Sequence, residues 1–213
     1  MLGLYGGTFD PVHFGHLRPA LDVLQALHLE QMRFIPVGQP PHREDPDVSG
    51  EHRIRMLQLA IESEDRFVID DREYHREGAS YMVDTLQSFR NEFKQTSLCL
   101  VIGYDAFLGL PGWHQWEKLI TLAHLVVTYR PGWQRTQHQD VMELNELVLQ
   151  HQCDIGDLSG SLFGSLAFVP VTAMDISSTL IREKIQRGER ITYLTPERVA
   201  EYIQQHQLYR KFE

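Results

Sequence analysis

The stretch Gly6-Gly7-Thr8-Phe9-Asp10-Pro11-Val12-His13-Phe14-Gly15-His16 decides how this chain folds. It follows an apolar run, residues 1–5, that predicts a first β-strand. It precedes leucines at three- and four-residue spacing that predict a helix, namely Leu17, Leu21, Leu24 and Leu27. A strand therefore ends, a glycine-led loop turns the chain, and a helix begins near Gly15.

This loop has the features of a phosphate-binding site. Gly6 and Gly7 allow the main chain to turn sharply and to approach a ligand closely. The start of the following helix directs unpaired N–H groups and the positive end of the helix dipole at the loop, and anions bind such ends. His13 and His16 add side-chain donors, and either imidazole can carry a charge near neutral pH. The alternative interpretation is a tight turn with incidental histidines.

Length and composition limit the class of protein. The chain has 213 residues, of which 42% are hydrophobic and 23% charged, and we expect residues 1–213 to form a single domain. No apolar run is long enough to span a membrane, and the first residues do not resemble a signal peptide. Two cysteines are too few for a disulfide framework, so a cytoplasmic location is expected. The net charge of −9 argues against binding to nucleic acid or to an anionic membrane.

Apolar runs alternate with helical patterns along the rest of the chain. The predicted strands cover residues 32–37, 67–70, 98–102, 124–128 and 167–171. The predicted helices cover residues 51–62, 113–122, 140–150, 176–187 and 196–207, and a further one carries Val83, Leu86 and Phe89. Ser49, Ser80 and Thr195 are the expected N-caps of three of these helices. This alternation predicts an α/β fold, a Rossmann-like doubly wound parallel sheet with helices on both faces, which binds ligands beyond the carboxyl ends of its strands.

A second cluster of polar residues opens the helix at residues 176–187. Ser177, Ser178 and Thr179 place hydroxyl groups at its first turn. Ser178 and Arg182 are four residues apart and share a face of the helix. A helix N-terminus with hydroxyls and a guanidinium group indicates a second anion site. The alternative interpretation is a serine cap followed by a solvated arginine.

Both motifs resemble those of a known superfamily. His13-Phe14-Gly15-His16 is similar to the T/H-x-G-H signature of nucleotidyltransferases, and Ile176-Ser177-Ser178-Thr179 with Arg182 is similar to its ISST-x-x-R partner. Nearly the whole chain resembles bacterial nicotinate-nucleotide adenylyltransferases; the further matching stretches are 40–43, 80–81, 102–105, 111–114, 130–132 and 208–210. The resemblance implies a nucleotidyltransferase-type fold that transfers AMP from ATP to nicotinate mononucleotide in NAD biosynthesis. Deamido-NAD and pyrophosphate would be the products, with Mg²⁺ required. No carboxylate cluster in the sequence suggests a metal site built by the protein, so we expect Mg²⁺ to be carried on ATP.

The resemblance also implies roles for individual residues. The catalytic residues would be His13, His16 and Arg182. The ATP-binding residues would be Gly7, Thr8, Phe9, His16, Gly103, Asp105, Arg130, Ile176, Ser178, Thr179 and Arg182. Nicotinate mononucleotide would contact Pro41, His42, Arg43, Trp113 and His114. Trp113 would stack on the pyridine ring, and main-chain N–H groups near Trp113 and His114 would receive the carboxylate. Because Trp113 follows Pro111-Gly112, we also expect it to open a helix with free N–H groups. Met82 departs from the family pattern, because a threonine whose hydroxyl helps to hold that carboxylate usually stands there.

Two other functions remain as alternatives. A pantetheine-phosphate adenylyltransferase is usually shorter and lacks the Pro-Gly-Trp-His segment, so Trp113 argues against that function. A nucleotide-binding regulatory or scaffold module without turnover is opposed by the intact His13, His16 and Arg182. The expected partners are ATP and nicotinate mononucleotide, with no nucleic acid and no membrane. The oligomeric state stays open, and a homo-oligomer is allowed.

Overall fold

A computed structural model describes residues 1–39, 46–130, 132 and 137–210. The strands are β1 (Leu2–Gly7), β2 (Gln31–Pro36), β3 (Phe67–Ile69), β4 (Leu98–Gly103), β5 (His124–Tyr129) and β6 (Leu166–Pro170). They form one parallel six-stranded sheet in the order β3-β2-β1-β4-β5-β6. The predicted doubly wound parallel sheet is therefore confirmed.

Seven α-helices are present in the described part of the chain. They are α1 (Phe14–Ala26), α2 (Gly50–Ile61), α3 (Met82–Glu92), α4 (Tyr104–Leu108), α5 (Met142–His151), α6 (Ser178–Gln186) and α7 (Glu197–Gln205). Short 3₁₀ turns cover Leu110–Gly112, Trp116–Thr121, Gln137–Asp140 and Ile155–Gly160.

The sheet is buried on both faces, as parallel sheets generally are. One apolar cluster contains buried residues of α1, α2 and α7, and the other contains buried residues of α3, α4 and α5. β4 contributes to both clusters, because Cys99 and Val101 face the first while Leu100 and Ile102 face the second. Helices therefore cover both faces of the sheet, as predicted.

The strand order changes direction at β1. The chain moves outward from β1 through β2 to β3, then returns to the other side of β1 as β4. Loops that leave the carboxyl ends of β1 and β4 therefore diverge onto opposite faces and leave a crevice between them. Sheets of this kind bind ligands at this position.

Two of the three predicted helix caps are wrong. Ser49 does cap α2, since its hydroxyl accepts the His52 N–H at 3.5 Å. Tyr81, not Ser80, is the N-cap of α3, and no side chain caps that helix. Pro196, not Thr195, is the N-cap of α7; the Thr195 hydroxyl instead donates to the Val12 carbonyl at 2.8 Å. This hydroxyl satisfies a carbonyl of the loop after β1, which is a tertiary contact that local sequence does not reveal.

Candidate active site

The loop after β1 is shaped by Phe9. This residue has a left-handed backbone (φ +50°) and is 1% exposed. A Cβ atom at Gly7 would lie 2.8 Å from the Phe9 ring, so only glycine fits at the end of β1. The Phe9 ring also meets the His16 ring edge-on, with centroids 5.1 Å apart. Phe9 therefore supports the loop from the core, and its ring is not available to a ligand.

The two motif histidines lie against each other at the start of α1. Their ring centroids are 3.8 Å apart, and His13 is the N-cap residue of the helix. Burial lowers the pKa of His13 to about 4. Burial, and then the neighbouring His13, lower the pKa of His16 well below its ordinary value. Both imidazoles are therefore neutral near pH 7, and the prediction that either can be charged there is wrong, because the fold removes them from water.

The hydrogen bonds of His16 indicate where its proton lies. Its Nδ1 atom accepts the main-chain N–H of His13 at 3.3 Å, and its own main-chain N–H donates to the His13 carbonyl at 2.9 Å. A neutral imidazole that accepts at one nitrogen carries its proton on the other. His16 therefore presents an Nε2–H donor. The Nδ1 atom of His13 is buried without a hydrogen-bond partner among the described residues.

Gly15 brings the two sequence motifs into direct contact. A Cβ atom at this position would lie 2.8 Å from the His13 Nδ1 atom and 2.8 Å from the Ile176 carbonyl oxygen. Real Cβ atoms do not approach so closely, so the glycine in the first motif is required by the backbone of the second. The sequence places these two segments far apart, and the sheet brings them together.

The start of α6 faces the loop after β1. Ser177 is its N-cap and accepts the Leu180 N–H at 3.1 Å. The Ser178 hydroxyl donates to the Pro11 carbonyl at 2.9 Å, and Arg182 Nη1 donates to the Asp10 carbonyl at 2.8 Å. Ser178 and Arg182 therefore share the face that packs on the first motif, as their spacing predicts. Thr179 is exposed at the same helix start.

Arg182 is not a freely solvated arginine. Its Nε atom pairs with Asp47 Oδ2 at 2.7 Å, and its side chain is only 24% exposed. The guanidinium group is therefore held beside the loop after β1 by one carboxylate and one carbonyl. A phosphate bound at Nε would replace Asp47.

A cavity of about 150 Å³ opens beside α1, at the carboxyl ends of β1, β4 and β5. It is lined by three residues of the predicted ATP-binding set, Gly103, Asp105 and Arg130. Tyr5, Thr128 and Met174 also line it and were not predicted. Gly103 was predicted because ligands bind beyond the carboxyl ends of the strands. The same reasoning applies to Thr128, the penultimate residue of β5, so the sequence could have predicted this residue. Arg130 Nη1 lies 3.8 Å from Asp175 Oδ1, just before the second motif.

Trp113 and His114 lie outside this cavity, near the start of α3. Trp113 is partly buried and packs on the apolar cluster of α3 and α4. The His114 ring lies against the Tyr81 ring, with centroids 4.4 Å apart. The Met82 methyl group reaches back to the end of β1, where a Cβ at Gly6 would lie 2.9 Å from it. This contact links the Trp113 side of the site to the glycine loop.

The prediction that Trp113 opens a helix is wrong. The turn Leu110–Gly112 precedes it, and the Trp113 N–H donates to the Leu110 carbonyl at 2.9 Å. The next turn begins at Trp116, after Gln115 adopts a left-handed backbone (φ +51°). Pro111 and Gly112 favour this tight turn over a continuous helix. Within residues 46–130, the N–H groups of His114 and Gln115 make no main-chain hydrogen bond, so these, not that of Trp113, are open to a ligand.

The comparisons with known proteins agree with this geometry. The cytidylyltransferase-like family model matches residues 4–184, which contain both motifs. A protein of Methylococcus capsulatus is 46% identical over 213 residues, covering 99% of this chain and 100% of its own length. One of Hydrogenovibrio crunogenus is 43% identical over 210 residues, covering 98% and 97%. Both relatives carry the name "Probable nicotinate-nucleotide adenylyltransferase".

The chain belongs to the nicotinate-nucleotide adenylyltransferases of the cytidylyltransferase-like family. Its fold is also that of a solved structure, the Plasmodium falciparum nicotinic acid mononucleotide adenylyltransferase complexed with NaAD. That likeness has a TM-score of 0.75 and covers 98% of this chain and 96% of the other, at 15% sequence identity.

Two further observations concern the described residues of this adenylyltransferase. Among the described residues, no group of three or more His, Cys, Asp or Glu side chains is arranged to hold a metal ion. No helix in the same part of the chain is long and apolar enough to cross a membrane.

Pro41, His42 and Arg43, which the resemblance assigns to the mononucleotide, lie outside the described residues.

Proposed function

We propose that this adenylyltransferase transfers AMP from ATP to nicotinate mononucleotide and releases deamido-NAD and pyrophosphate. The observation that carries the proposal is the packing of the two motifs at the carboxyl edge of the sheet. Gly15 contacts the Ile176 carbonyl, and Ser178 and Arg182 bond to the loop after β1. One anion site is thereby built from both sequence motifs, as a triphosphate requires.

The reaction needs no nucleophile from the protein. A phosphate oxygen of the mononucleotide is already ionised and attacks the α-phosphorus of ATP, while the bond to pyrophosphate breaks. Catalysis is then positioning and stabilisation of developing negative charge. The main chain of Gly7, Thr8 and Phe9 holds the phosphates, with His13 and His16 as the catalytic imidazoles. The neutral His16 donates a hydrogen bond through Nε2–H and does not need to transfer a proton.

The departing pyrophosphate is held at the start of α6. Ile176, Ser178 and Thr179 surround the N-terminus of this helix, and Arg182 adds a planar guanidinium group. Phosphate oxygens at Arg182 Nε replace Asp47, whose side chain is half-exposed and can move into water. Charge that builds up on the β- and γ-phosphates is therefore met by a fixed cation.

The adenosine part of ATP occupies the cavity beside β4 and β5. Gly103 and Arg130 line it, and a side chain at Gly103 would have open space around it, so the ligand passes over bare main chain. The exposed carboxylate of Asp105 accepts hydrogen bonds from ribose hydroxyls.

Nicotinate mononucleotide lies on the other side of the glycine loop. Its pyridine ring stacks on Trp113, next to the His114–Tyr81 ring pair. The open N–H groups of His114 and Gln115 receive its carboxylate. Pro41, His42 and Arg43 complete the proposed binding set on sequence resemblance alone.

The remaining features of the proposal follow from charge and composition. Mg²⁺ bound to the ATP phosphates would neutralise part of their charge, and the described residues offer no cluster of acidic side chains that would hold it separately. The net charge of −9 makes nucleotides, and not nucleic acid, the expected partners. The free thiols of Cys99 and Cys153 support a reducing, cytoplasmic setting. Residues 1–213 form one nucleotidyltransferase domain, since the proposed sites share one sheet.

Pyrophosphate release tests this function. The purified protein is incubated with MgATP together with one acceptor at a time: nicotinate mononucleotide, its amide analogue or phosphopantetheine. We expect release with the two mononucleotides and a kcat/KM about ten- to a hundredfold higher for the acid, because an NH₂ group facing N–H donors is left unpaired. Pyrophosphate release with phosphopantetheine as the only effective acceptor, or with none of the three acceptors, would overturn the proposal.

A further inference from the structure

A closed ring of hydrogen bonds lies behind the proposed phosphate site. Asp10 Oδ2 accepts the main-chain N–H of Asp47 at 2.7 Å. Asp47 Oδ2 pairs with Arg182 Nε at 2.7 Å, and Arg182 Nη1 returns to the Asp10 carbonyl oxygen at 2.8 Å. Asp10 is 3% exposed, so this ring is anchored in the interior. The orientation of the Asp10 carboxylate therefore affects where Arg182 is held.

The second oxygen of Asp10 is occupied by the C-terminal segment. The Tyr209 hydroxyl donates to Asp10 Oδ1 at 2.6 Å, and Tyr209 is itself buried. Tyr209 follows α7 and has a left-handed backbone (φ +63°). Its ring belongs to the apolar cluster of α1, α2 and α7, whereas its hydroxyl bonds to Asp10. The ring and the hydroxyl thus have separable tasks.

We propose that Tyr209 is a positioning residue for the phosphate site: its hydroxyl orients Asp10, whose main-chain carbonyl holds Arg182 Nη1 when phosphate has replaced the Asp47 carboxylate at Nε. The inference rests on the role proposed for Arg182 in holding the leaving pyrophosphate. It goes beyond that role, because Tyr209 touches no substrate and acts through Asp10 alone.

The charge on Asp10 gives the proposal a separate readout. The groups that face it are Asp47, Arg53 of α2, Arg182 of α6 and Tyr209. Burial raises the pKa of Asp10, and the Tyr209 hydrogen bond is the largest of the contributions that lower it. The ionised carboxylate is the form that accepts both the Tyr209 and the Asp47 hydrogen bonds. Without the hydroxyl, the pKa of Asp10 rises. When the solution is acidified, Asp10 is then protonated at a higher pH, and the ring of hydrogen bonds weakens there.

Tyr209→Phe is the direct test, since it keeps the ring and removes the hydroxyl. We expect kcat/KM for ATP to fall about tenfold, the effect of losing a hydrogen bond to a buried charge. The KM for nicotinate mononucleotide should stay unchanged, and the acidic limb of the kcat/KM profile should move to higher pH. Tyr193→Phe is the matched control, because Tyr193 is 87% exposed and its variant should behave as the unaltered protein. A folded Tyr209→Phe protein with unaltered kcat/KM and acidic limb would overturn the proposal.

A second measurement covers the case in which Tyr209→Phe does not fold. A fluorotyrosine placed only at position 209 keeps the packing and makes the hydroxyl a stronger donor. The acidic limb should then move to lower pH, and an unmoved limb would contradict the proposal. Pyrophosphate release by the unaltered protein reports on the function itself, so failure of that function and failure of the Tyr209 inference give different results.

Discussion

At the scale of single residues, the two motif imidazoles act as neutral groups. Burial lowers the pKa values of both, and the His16 Nδ1 atom is already committed to the His13 main chain. What remains is one oriented N–H donor, on an imidazole that is neutral near pH 7. A preorganised donor of this kind costs no reorganisation when charge develops on a phosphate.

Replacement of His16 by Ala should reduce kcat by about 10²–10³, the usual effect of losing one preorganised donor. The KM for ATP should change little, because the main-chain donors of the loop remain. Steady-state pyrophosphate release measures both quantities. His75→Ala is the control, since this histidine lies on the surface and pairs with Asp71. A near-normal kcat in a folded His16→Ala protein would show that the donor role is wrongly assigned.

Met82→Thr tests the departure from the family pattern. Met82 is the first residue of α3 and its methyl group approaches Gly6, so a hydroxyl at this position stands next to the glycine loop. One added hydrogen bond to the nicotinate carboxylate should lower the KM for the mononucleotide about two- to tenfold and leave the KM for ATP unchanged.

The control for this substitution is Met142→Thr. Met142 is also the first residue of its helix, α5, and is 70% exposed. Equal mononucleotide KM values for the unaltered protein and the Met82→Thr variant would mean that the carboxylate lies elsewhere.

The sequence predicted well which residues meet at the site. It predicted the charge state of the histidines there poorly. Ser178 and Arg182 share a face because helical spacing requires it, and the structure agrees. The charge state of His16 was predicted wrongly, because it depends on burial beside Phe9 and His13 that only the tertiary fold supplies. The motif alone indicates no role for Asp10, because its partners, Asp47 and Tyr209, are distant in sequence.

At the scale of elements, the site depends on how closely the start of α1 approaches the segment before α6. Gly15 sets that distance, because its hydrogen atom points at the Ile176 carbonyl and the His13 ring. The two helices are connected to opposite ends of the chain, so their relative position is fixed by the sheet and by this contact.

Gly15→Ala should therefore damage both stability and activity. The added methyl group would lie 2.8 Å from two groups, the His13 ring and a backbone carbonyl, and the carbonyl cannot move without its chain. We expect the free energy of unfolding to fall by about 1–3 kcal/mol, as for other overpacked sites. We also expect kcat to fall with the displacement of His13. Chemical denaturation and pyrophosphate release measure the two effects.

Gly156→Ala provides the comparison, because a Cβ at Gly156 meets nothing within 4 Å. Its stability and kcat should match those of the unaltered protein. If Gly15→Ala also left the free energy of unfolding and kcat unchanged, the close contact between the motifs would not matter for the site.

Element boundaries were predicted well where the core decides them and poorly where local hydrogen bonds do. The apolar run at 98–102 became β4 (Leu98–Gly103), because both faces of that strand are buried. The helix expected at 113–122 became 3₁₀ turns, since Pro111-Gly112 ends one turn and the left-handed Gln115 begins the next. Thr195 was expected to cap α7 but bonds to Val12, a partner that no local pattern indicates.

At the scale of the whole molecule, the buried imidazoles make stability depend on pH. Burial lowers the pKa of His13 to about 4 in the folded protein, against an ordinary value of 6.5 in an unfolded chain. Between these two values the unfolded chain binds more protons, so the free energy of unfolding falls as pH falls through this window. Above about pH 6.5 this contribution is constant. Asp10 and Glu73, whose pKa values burial raises, act in the opposite direction.

Comparison with His13→Asn tests the contribution of His13 and of its effect on the neighbouring His16. The difference in the free energy of unfolding between the two proteins should change by up to about 3 kcal/mol between pH 6.5 and pH 4, at 1.36 kcal/mol per unit of pKa shift. The unaltered protein should lose stability relative to the variant as the solution is acidified. Urea denaturation at a series of pH values measures this difference. A difference that does not vary with pH would mean that His13 remains accessible to protons.

The bond between Tyr209 and Asp10 also has a consequence for the making of the protein. The two residues are 199 positions apart, and at about 5–20 residues per second a ribosome needs roughly ten to forty seconds to add the second after the first. During that interval the nascent chain carries the glycine loop and both histidines, but Asp10 has no C-terminal partner. The site is therefore completed only when the final residues are synthesised. A truncated product that ends before residue 209 retains the nucleotide motif without a fully oriented Arg182.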